Sequence, residues 1–445
     1  MILLDISGGK HEEAERLECY LMNVLLDNER RLNTQSEGQD LNVRLSNLIR
    51  NVSEKTGKQV VVLIDEYDSP LLDVIHEEEN LPKLRQVMRN FYSPLKACSP
   101  YLRYVFLTGI TKFSQPELFS ELNNIQNISM LPEYATLCGI SKEEMLTQMS
   151  SDIDTLSERL GVSREEAVSR LGVSRDQTIE RLTEYYDGYH FTWPSPDVFN
   201  PFSLLMAMDT GKIDSYWFGS GTPTYLIEMM RKFGTLPSAI GGIEAPDTVF
   251  DAPAERLTDI TPLLYQSGYT TIKAYDDVTQ FYTLDIPNKE IRKGLMKSLL
   301  PYYVNCSLLD GRTAIGKMYR CLTKGDMEGC LGVLRAFLLT VPYTDNTAYE
   351  GHWQQVLYII FSLLNCYVDA QVHTAAGRVD LVMRSHDTLY LVETKLGRSA
   401  EAAAKQIDMK DYAARFATSC LPVVKVGINF DSEQHTITDW TIKHS

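Results

Sequence analysis

Residues 377–396 read GRVDLVMRSHDTLYLVETKL, and this stretch has the clearest structural pattern in the chain. Two apolar runs flank a short polar turn, which is typical of two paired strands. Asp380 interrupts the first run. Glu393 and Lys395 lie at positions i and i+2 of the second run, so both project from one face of that strand. The stretch therefore predicts a hairpin that carries two carboxylates and one amine.

The surrounding sequence predicts a compact α/β unit around this hairpin. A helical run at 350–367 precedes the predicted strands at 377–385 and 388–396. A helix at 399–416 and a final strand at 423–430 follow them. Helix, hairpin, helix and strand are enough elements to enclose a core of their own.

The side chains of the hairpin suit phosphodiester chemistry. Two carboxylates on adjacent strands can share a hard divalent cation, and a neighbouring lysine can offset charge that develops on a phosphoryl group. The alternative is a solvated ion pair of little energetic value. Because Asp380 lies between Val379 and Leu381, and Glu393 follows the apolar run LYLV, unpaired charges here would be costly. That cost favours a functional role.

The motifs GRVDLV and LYLVETKL resemble the restriction-endonuclease-like PD-(D/E)XK nucleases. The closest likeness is to the version fused behind an AAA-ATPase-like domain in many bacterial proteins, and it covers residues 341–445. The resemblance implies that Asp380 and Glu393 are ligands of Mg²⁺ or Mn²⁺. It also implies that Lys395 is the catalytic lysine.

The same resemblance implies roles for further residues around the motif. Glu350, on the preceding helix, would be an accessory acid of the catalytic site. Gln406, grouped with the catalytic residues, and Tyr412 would face the active site or the nucleic-acid backbone; the alternatives are a surface polar residue and a core aromatic residue. Thr394 stands where many relatives have an apolar residue, and strand alternation predicts that its side chain points to the opposite face.

A second motif, VVVLIDEYD, occupies residues 60–68. An apolar run that ends in Asp65 and Glu66 predicts a buried parallel strand with carboxylates at its end, and YLRYVFLTGI predicts a second buried strand of an open α/β sheet. The motif resembles a Walker B segment, in which Asp65 would position Mg²⁺ and Glu66 would polarise water. FLTGITKFS resembles the sensor strand of AAA-type ATPases, with Thr108 or Thr111 at its tip. For Asp65 and Glu66 the alternative is a capped strand end.

The likeness to the AAA-ATPase-like family extends over nearly all of residues 1–310. It implies an α/β multidomain chain: a partial, N-terminally incomplete P-loop/AAA-like sheet at 1–140, a helical and winged-helix-like middle at 141–340, and the restriction-endonuclease-like domain at 341–445. In the middle part, YYDGYHF predicts a helix end, since Asp-Gly favours a cap and turn. GYTTIKAY and QFYTLDI predict a hairpin. This hairpin belongs to the winged-helix-like segment at 246–300, whose role in nucleic-acid binding or in packing stays open.

The nucleotide-binding loop of such ATPases is missing from the sequence. No G-x-x-x-x-G-K-[ST] occurs in the 445 residues, and Ser7-Gly8-Gly9-Lys10 lacks the first glycine and its spacer. In the family this loop lies upstream of the segment that resembles ILLDISG, so the resemblance implies a chain that begins inside the ATPase domain. A truncated reading frame, a wrong start codon and a degenerate ATPase would look the same.

Charge limits the classes of function. The chain has 43 Lys and Arg against 59 Asp and Glu, a formal net charge of −16. This charge disfavours the class of uniformly basic proteins that coat nucleic acid. Residues 341–445 hold 9 basic and 12 acidic side chains, and three of the acids are the proposed site itself. A local backbone-binding groove is compatible with the basic residues around the motif: Arg378, Arg384, Lys395, Arg398, Lys405 and Lys410.

The cysteines and the apolar stretches of the sequence indicate the cellular compartment in which we expect the protein. The eight cysteines show no CxxC pair or metal-ligand spacing, which disfavours a zinc site and favours reduced thiols. The N-terminus lacks a basic n-region, and the longest apolar stretches are too short to span a bilayer. We expect a soluble, cytoplasmic protein without membrane contact.

Two functions remain in competition. The favoured one is an enzyme: a Mg²⁺-dependent nuclease whose substrate is nucleic acid, DNA being the favoured form, attached to an ATPase-like module that is impaired in this chain. ATP would bind only if the missing phosphate-binding loop were supplied. The alternative is a non-catalytic regulatory protein with a degenerate ATPase domain that binds nucleic acid or another partner. Homo-oligomerisation is left open.

We expect the purified chain to bind ATP weakly or not at all. The backbone amides and the lysine of a phosphate-binding loop supply much of the affinity for nucleotides. Calorimetric titration with MgATP measures that affinity, and a micromolar dissociation constant would contradict the expectation. An in-frame upstream sequence that encodes a strand followed by GKS or GKT would identify the chain as a fragment.

Overall fold

The computed structural model describes most of the chain. The described residues are 1–8, 13–72, 74, 77, 79–109, 125–162, 174–220, 224–250, 252, 257–304, 306–340, 350–364, 366–374, 377–385, 387–409, 421–431 and 436–444. Thr111, Lys410 and Tyr412, named above, lie outside these ranges. No helix within them combines the length and the apolarity that a bilayer crossing requires.

The contacts within the chain define two compact units. The first unit comprises Met1–Leu137, His190–Ser195 and Glu244–Leu284. The second comprises Cys138–Tyr189, Pro196–Ile243 and Asp285–Ser445. The fold is an α/β multidomain fold, as predicted from the sequence. The finer division at residues 140 and 340 stays a prediction.

The N-terminal part of the first unit is a three-stranded parallel sheet with helices packed against it. The strands, in the order β1-β2-β3, are β1 (Ile2–Asp5), β2 (Val60–Asp65) and β3 (Leu102–Leu107). The helices are α1 (Ala14–Leu32), α2 (Leu41–Thr56), α3 (Ser69–Leu72), α4 (Asn80–Tyr92) and α5 (Pro94–Ala97). The VVVLID run thus forms a parallel strand, as its sequence predicts, and the structure places it at the centre of the sheet.

The third strand differs from its prediction. YLRYVFL was expected to be buried, but Tyr104 of β3 is 52% exposed. Within the described ranges β3 pairs with β2 alone and forms one edge of the sheet. An edge strand keeps its apolar composition while one side stays accessible, which accounts for the error.

The opposite edge of this sheet is closed by side chains of α1. Asn28 accepts a hydrogen bond from the Leu3 N–H at 3.0 Å and donates one to the Leu3 carbonyl at 2.7 Å. Glu29 binds Arg44 of α2 through two hydrogen bonds of 2.8 Å. The leucines of α1 at positions 17, 21 and 25 recur every fourth residue and are fully buried. Helix and sheet therefore share one core.

The next segment, in the second unit, is mainly helical. Its elements are β4 (Ile140–Ser141), α6 (Lys142–Gln148), α7 (Ser150–Val162), α8 (Arg175–Tyr186), β5 (Val198–Phe199), α9 (Pro201–Thr210) and α10 (Thr224–Phe233). Reciprocal capping boxes at Ser141 and Ser174 start α6 and α8. Helix α8 ends before Asp187, and Gly188 has a φ of 96°, so the predicted helix end at Asp-Gly is confirmed.

A second small sheet contains the predicted middle hairpin. Its elements are β6 (Ile243–Ala245), α11 (Thr261–Gln266), β7 (Thr271–Asp276) and β8 (Phe281–Asp285), with the strands in the order β6-β8-β7. Phe250 contacts the rings of Tyr265 and Tyr282 at centroid distances of 4.5 and 4.9 Å. The pairing of β7 with β8 confirms the hairpin.

The C-terminal part of the second unit holds a five-stranded sheet of order β13-β12-β11-β10-β9. The elements are α12 (Lys289–Val304), α13 (Leu308–Leu322), α14 (Met327–Leu339), α15 (Glu350–Leu363), β9 (Tyr367–Thr374), β10 (Gly377–Arg384), β11 (Leu389–Leu396), α16 (Ala400–Met409), β12 (Val423–Asp431) and β13 (Thr436–His444). Strands β11 and β12 are parallel, whereas the other neighbours are antiparallel. Sequence reasoning found β10, β11 and β12 but missed the two outer strands.

Helix α16 lies unusually close to strand β12. A methyl group placed on Gly427 would overlap the Ala400 carbonyl oxygen and the Ala404 nitrogen, and it would touch Ala403. The sequence AEAAAKQ therefore has alanines because the helix backbone packs directly on the strand. Since Gly427 pairs with Glu393 of β11, this contact also sets the distance of the helix from the central strand.

We expect Gly427→Ala to lower the free energy of unfolding by about 1–3 kcal/mol, because the added methyl group must push α16 away from β12. Calorimetric unfolding measures the loss. Gly316→Ala is the matched control, since a methyl group on that glycine of α13 would meet open space. The control should be neutral or gain up to about 1 kcal/mol in helix propensity. Equal stability of Gly427→Ala and the unchanged protein would contradict the close packing.

Candidate active site

The hairpin of β10 and β11 brings the three predicted side chains together. The ladder is paired as far as Leu381 and Val392, and Asp380 and Glu393 are the next residues on the two strands. The Asp380 N–H lies 3.4 Å from Oε2 of Glu393. Lys395 follows two residues later on β11. All three side chains are buried, with exposed fractions of 8% for Asp380, 0% for Glu393 and 9% for Lys395.

Glu393 is surrounded by hydrogen-bond donors. Its Oε1 accepts from the Lys395 ammonium at 3.5 Å and from the side-chain amide of Gln406 on α16. Its Oε2 lies 3.4 Å from the backbone N–H of Asp380. Gln406 thus faces the carboxylates, where the family resemblance placed it.

The environment of Glu393 disfavours its charged form. Burial, reinforced by the charge of Asp380, raises the pKa of Glu393 to about 8, whereas Lys395 acts in the opposite direction. One ammonium does not balance two neighbouring carboxylates. The site therefore stabilises either a proton or an additional cation at this position.

The carboxylate of Asp380 is held by Thr394, the residue between Glu393 and Lys395. The carboxylate Oδ2 accepts hydrogen bonds from the Thr394 N–H at 2.9 Å and from the Thr394 hydroxyl at 2.8 Å. Strand alternation predicts that the Thr394 side chain points to the opposite face, and it does not predict this contact with Asp380. Asp380 comes directly before Leu381, which belongs to the last regular pair of the ladder. Its carboxylate binds the Thr394 N–H and therefore lies within reach of the Thr394 hydroxyl.

The turn between β11 and α16 is fixed by polar side chains from β12 and β13. Asn429 accepts a hydrogen bond from the Arg398 N–H at 3.0 Å and donates one to Thr438 at 2.8 Å. Asp439 accepts from the N–H of Ala400, the first residue of the helix, at 3.1 Å. Sequence reasoning missed Asn429, although a polar residue within the apolar run VGINF was a usable signal.

The other residues of the predicted site do not all lie near the carboxylates. Glu350 is the first residue of α15, and its side chain is outside the described part of the structure. Arg398 and Lys405 are exposed. Arg384 lies four residues along β10 from Asp380, about 13 Å at the rise of a strand, so it does not cluster with the carboxylates.

The donor set suits a hard cation. No group of three or more His, Cys, Asp or Glu side chains within the described ranges could hold a metal ion. Mg²⁺ nevertheless needs only one or two protein carboxylates, because water and substrate phosphate complete its coordination. Asp380 and Glu393 supply that pair, and a bound cation would favour the ionised form of Glu393 that burial disfavours. The two residues therefore fit Mg²⁺ or Mn²⁺.

A second acidic group lies at the carboxyl ends of the parallel strands in the first unit. Asp5 and Asp65 are neighbours in the β1–β2 register, and the Thr108 hydroxyl donates to Asp65. Glu66 has a φ of 55°, in the left-handed region that few side chains adopt. Burial raises the pKa of Glu66, and the charges of Asp68, Asp65 and Asp5 add to the effect. The structure thus brings Asp65, Glu66 and Thr108 together at the carboxyl ends of the parallel strands.

Comparisons with known proteins match the two segments of the chain that contain these residues. Residues 1–119 match the family described as predicted AAA-ATPase, and residues 348–440 match the PD-(D/E)XK nuclease superfamily. An uncharacterized protein in the vnfD 5′ region of Azotobacter chroococcum mcd 1 is 28% identical over 454 residues, which cover 100% of this chain and 83% of that protein. No solved structure matches the chain. The chain therefore combines an AAA-ATPase-like domain at residues 1–119 with a PD-(D/E)XK nuclease superfamily domain at residues 348–440.

Proposed function

We propose that the C-terminal domain is a metal-dependent nuclease that hydrolyses phosphodiester bonds, with DNA as its substrate. The observation that carries this proposal is the buried cluster of Asp380, Glu393 and Lys395 within a PD-(D/E)XK nuclease superfamily segment. In this cluster the Lys395 ammonium and the Asp380 backbone N–H contact the Glu393 carboxylate. Asp380 and Glu393 would hold Mg²⁺ or Mn²⁺. Lys395 would be the catalytic lysine.

The protein side chains have separable roles in this proposal. Asp380 and Glu393 would hold a divalent cation, which would supply Lewis-acid stabilisation of the phosphoryl group. Lys395 offsets negative charge that develops on the phosphoryl oxygens. Gln406, which donates to Glu393, keeps that carboxylate oriented. Glu350 is assigned the role of accessory acid, supported by its place at the start of α15.

The AAA-ATPase-like domain enters the proposal through the polar residues at the carboxyl ends of its parallel strands. Asp65, Glu66 and Thr108 lie together at one end of the parallel sheet. Aspartate and glutamate at such a strand end are suited to Mg²⁺ and to an attacking water. We assign them to a magnesium–nucleotide complex that forms only where a phosphate-binding loop is supplied.

We expect the purified protein with Mg²⁺ or Mn²⁺ to nick supercoiled plasmid DNA. Asp380→Asn should lower the nicking rate at least about 100-fold, since it removes one of the two charged ligands of the metal. Lys395→Ala should lower the rate by a similar factor, because it removes the ammonium group that offsets charge on the phosphoryl oxygens. Initial nicking rates, with circular dichroism to verify folding, measure both effects.

Two control variants match the charge changes. Asp387→Asn alters an exposed acid at the other end of the same hairpin, and Lys324→Ala alters an exposed lysine after α13. Both should nick DNA at the unchanged rate. Full activity of Asp380→Asn and Lys395→Ala would refute the assignment. Unchanged protein that binds nucleic acid yet cleaves none of its forms would favour the non-catalytic alternative.

The stability of the metal-free protein should depend on Glu393 ionisation. Its pKa is about 8 in the folded protein against an ordinary value of 4.5. Between these values the folded state holds a proton that the unfolded state releases. The stabilisation is fully present below pH 4.5 and is lost as the pH rises through 8, with a slope of at most about 1.4 kcal/mol per pH unit.

Urea unfolding in the presence of a chelator, at intervals from pH 5 to pH 9, measures this dependence. Glu393→Gln is the matched variant, because it keeps the shape of the side chain and cannot ionise. The difference in unfolding free energy between the two proteins isolates the contribution of Glu393. Parallel pH profiles for both proteins would show that Glu393 has no raised pKa.

A further inference from the structure

We propose that Thr394 is a positioning residue that fixes the carboxylate of Asp380 for metal binding. This inference rests on the proposed function, since it assumes that Asp380 is a metal ligand. It adds a residue from between the two members of the E-x-K motif, which the motif itself leaves unspecified.

The first observation is that both polar hydrogens of Thr394 are directed at one oxygen atom. The backbone N–H and the hydroxyl bind Oδ2 of Asp380 at 2.9 and 2.8 Å. Hydrogen bonds to an ionised carboxylate are stronger than those between neutral groups. Because Thr394 is fully buried and Asp380 is 8% exposed, water has little access to compete for these bonds.

The second observation is the stiffness of the donor. Threonine is branched at Cβ, which restricts rotation about χ1, and Thr394 of β11 is paired with Ile428 of β12. Two donors at a fixed spacing restrain the rotation of the Asp380 carboxylate more than one donor would. A ligand restrained in this way loses less conformational entropy when a metal binds.

The third observation is that Glu393 is held by donors other than Thr394. Glu393 is bound by Lys395, Gln406 and the N–H of Asp380, and no bond from Thr394 to Glu393 is present among the described residues. A change at Thr394 should therefore act on Asp380 and leave the direct contacts of Glu393 in place. This separation makes the inference testable by a single substitution.

Thr394→Val removes the hydroxyl and keeps the branched shape. Loss of a hydrogen bond to a ligating carboxylate typically weakens metal binding 10–100-fold, and since the N–H donor remains, we expect Mn²⁺ to bind about tenfold more weakly. Calorimetric titration with Mn²⁺, without nucleic acid, measures this affinity. Thr394→Ser keeps the hydroxyl and should restore most of it.

Thr436→Val is the matched control for a purely structural effect. Thr436 of β13 is also a buried threonine of the same sheet, but its hydroxyl donates to the Arg335 carbonyl at 3.3 Å. Its removal should change stability in chelator without changing the Mn²⁺ affinity. Should Thr394→Val fail to fold, Thr394→Ala compared with Thr394→Ser tests the same hydroxyl.

The outcomes separate this inference from the function on which it rests. Weakened Mn²⁺ binding in Thr394→Val with recovery in Thr394→Ser supports it. If the wild-type protein binds Mn²⁺ and Thr394→Val binds it with equal affinity, the positioning role alone is overturned. Unchanged protein that binds no Mn²⁺ overturns the proposed function, and the positioning role with it.

Discussion

The burial of Glu393 beside Asp380 is the interaction on which the C-terminal domain depends. Desolvation and like-charge repulsion both oppose it. Its compensation comes from three elements: β10 contributes the Asp380 N–H, β11 contributes Lys395, and α16 contributes Gln406. The strand register and the helix position must both be correct before this carboxylate is tolerated. A folded domain of this kind is therefore already shaped around a positive charge.

The acidic group of the first unit follows a different logic. Asp65 is exposed at the end of its strand, and Glu66 is only half-buried. Carboxylates in contact with water are screened and need few protein partners. The same residue types at strand ends thus impose little on the ATPase-like sheet. In the nuclease-like sheet, Asp380 and Glu393 lie within their strands, and Glu393 takes its donors from β10, β11 and α16.

Much of the C-terminal site was predictable because it rests on alternation along one hairpin. Asp380, Glu393 and Lys395 are charged residues inside apolar runs, and strand geometry brings them together. The contact of Thr394 was not predictable, since it depends on where the regular ladder ends. The outer strands β9 and β13 carry many polar residues, so their hydrophobic pattern is weak. The exposure of Tyr104 likewise depends on which side of β3 is paired, and strand composition does not encode this.

The direct packing of α16 on Gly427 has a consequence for how this family can vary. Side chains normally act as adjustable spacers between a helix and a sheet, but here two backbones touch. Gly427, Ala400, Ala403 and Ala404 therefore share one fixed volume. A homologue that enlarges one of them must shrink another or shift the helix, and a shifted helix would carry Gln406 away from Glu393. Substitutions at these four positions should be correlated among homologues, although none of the four carries any chemistry.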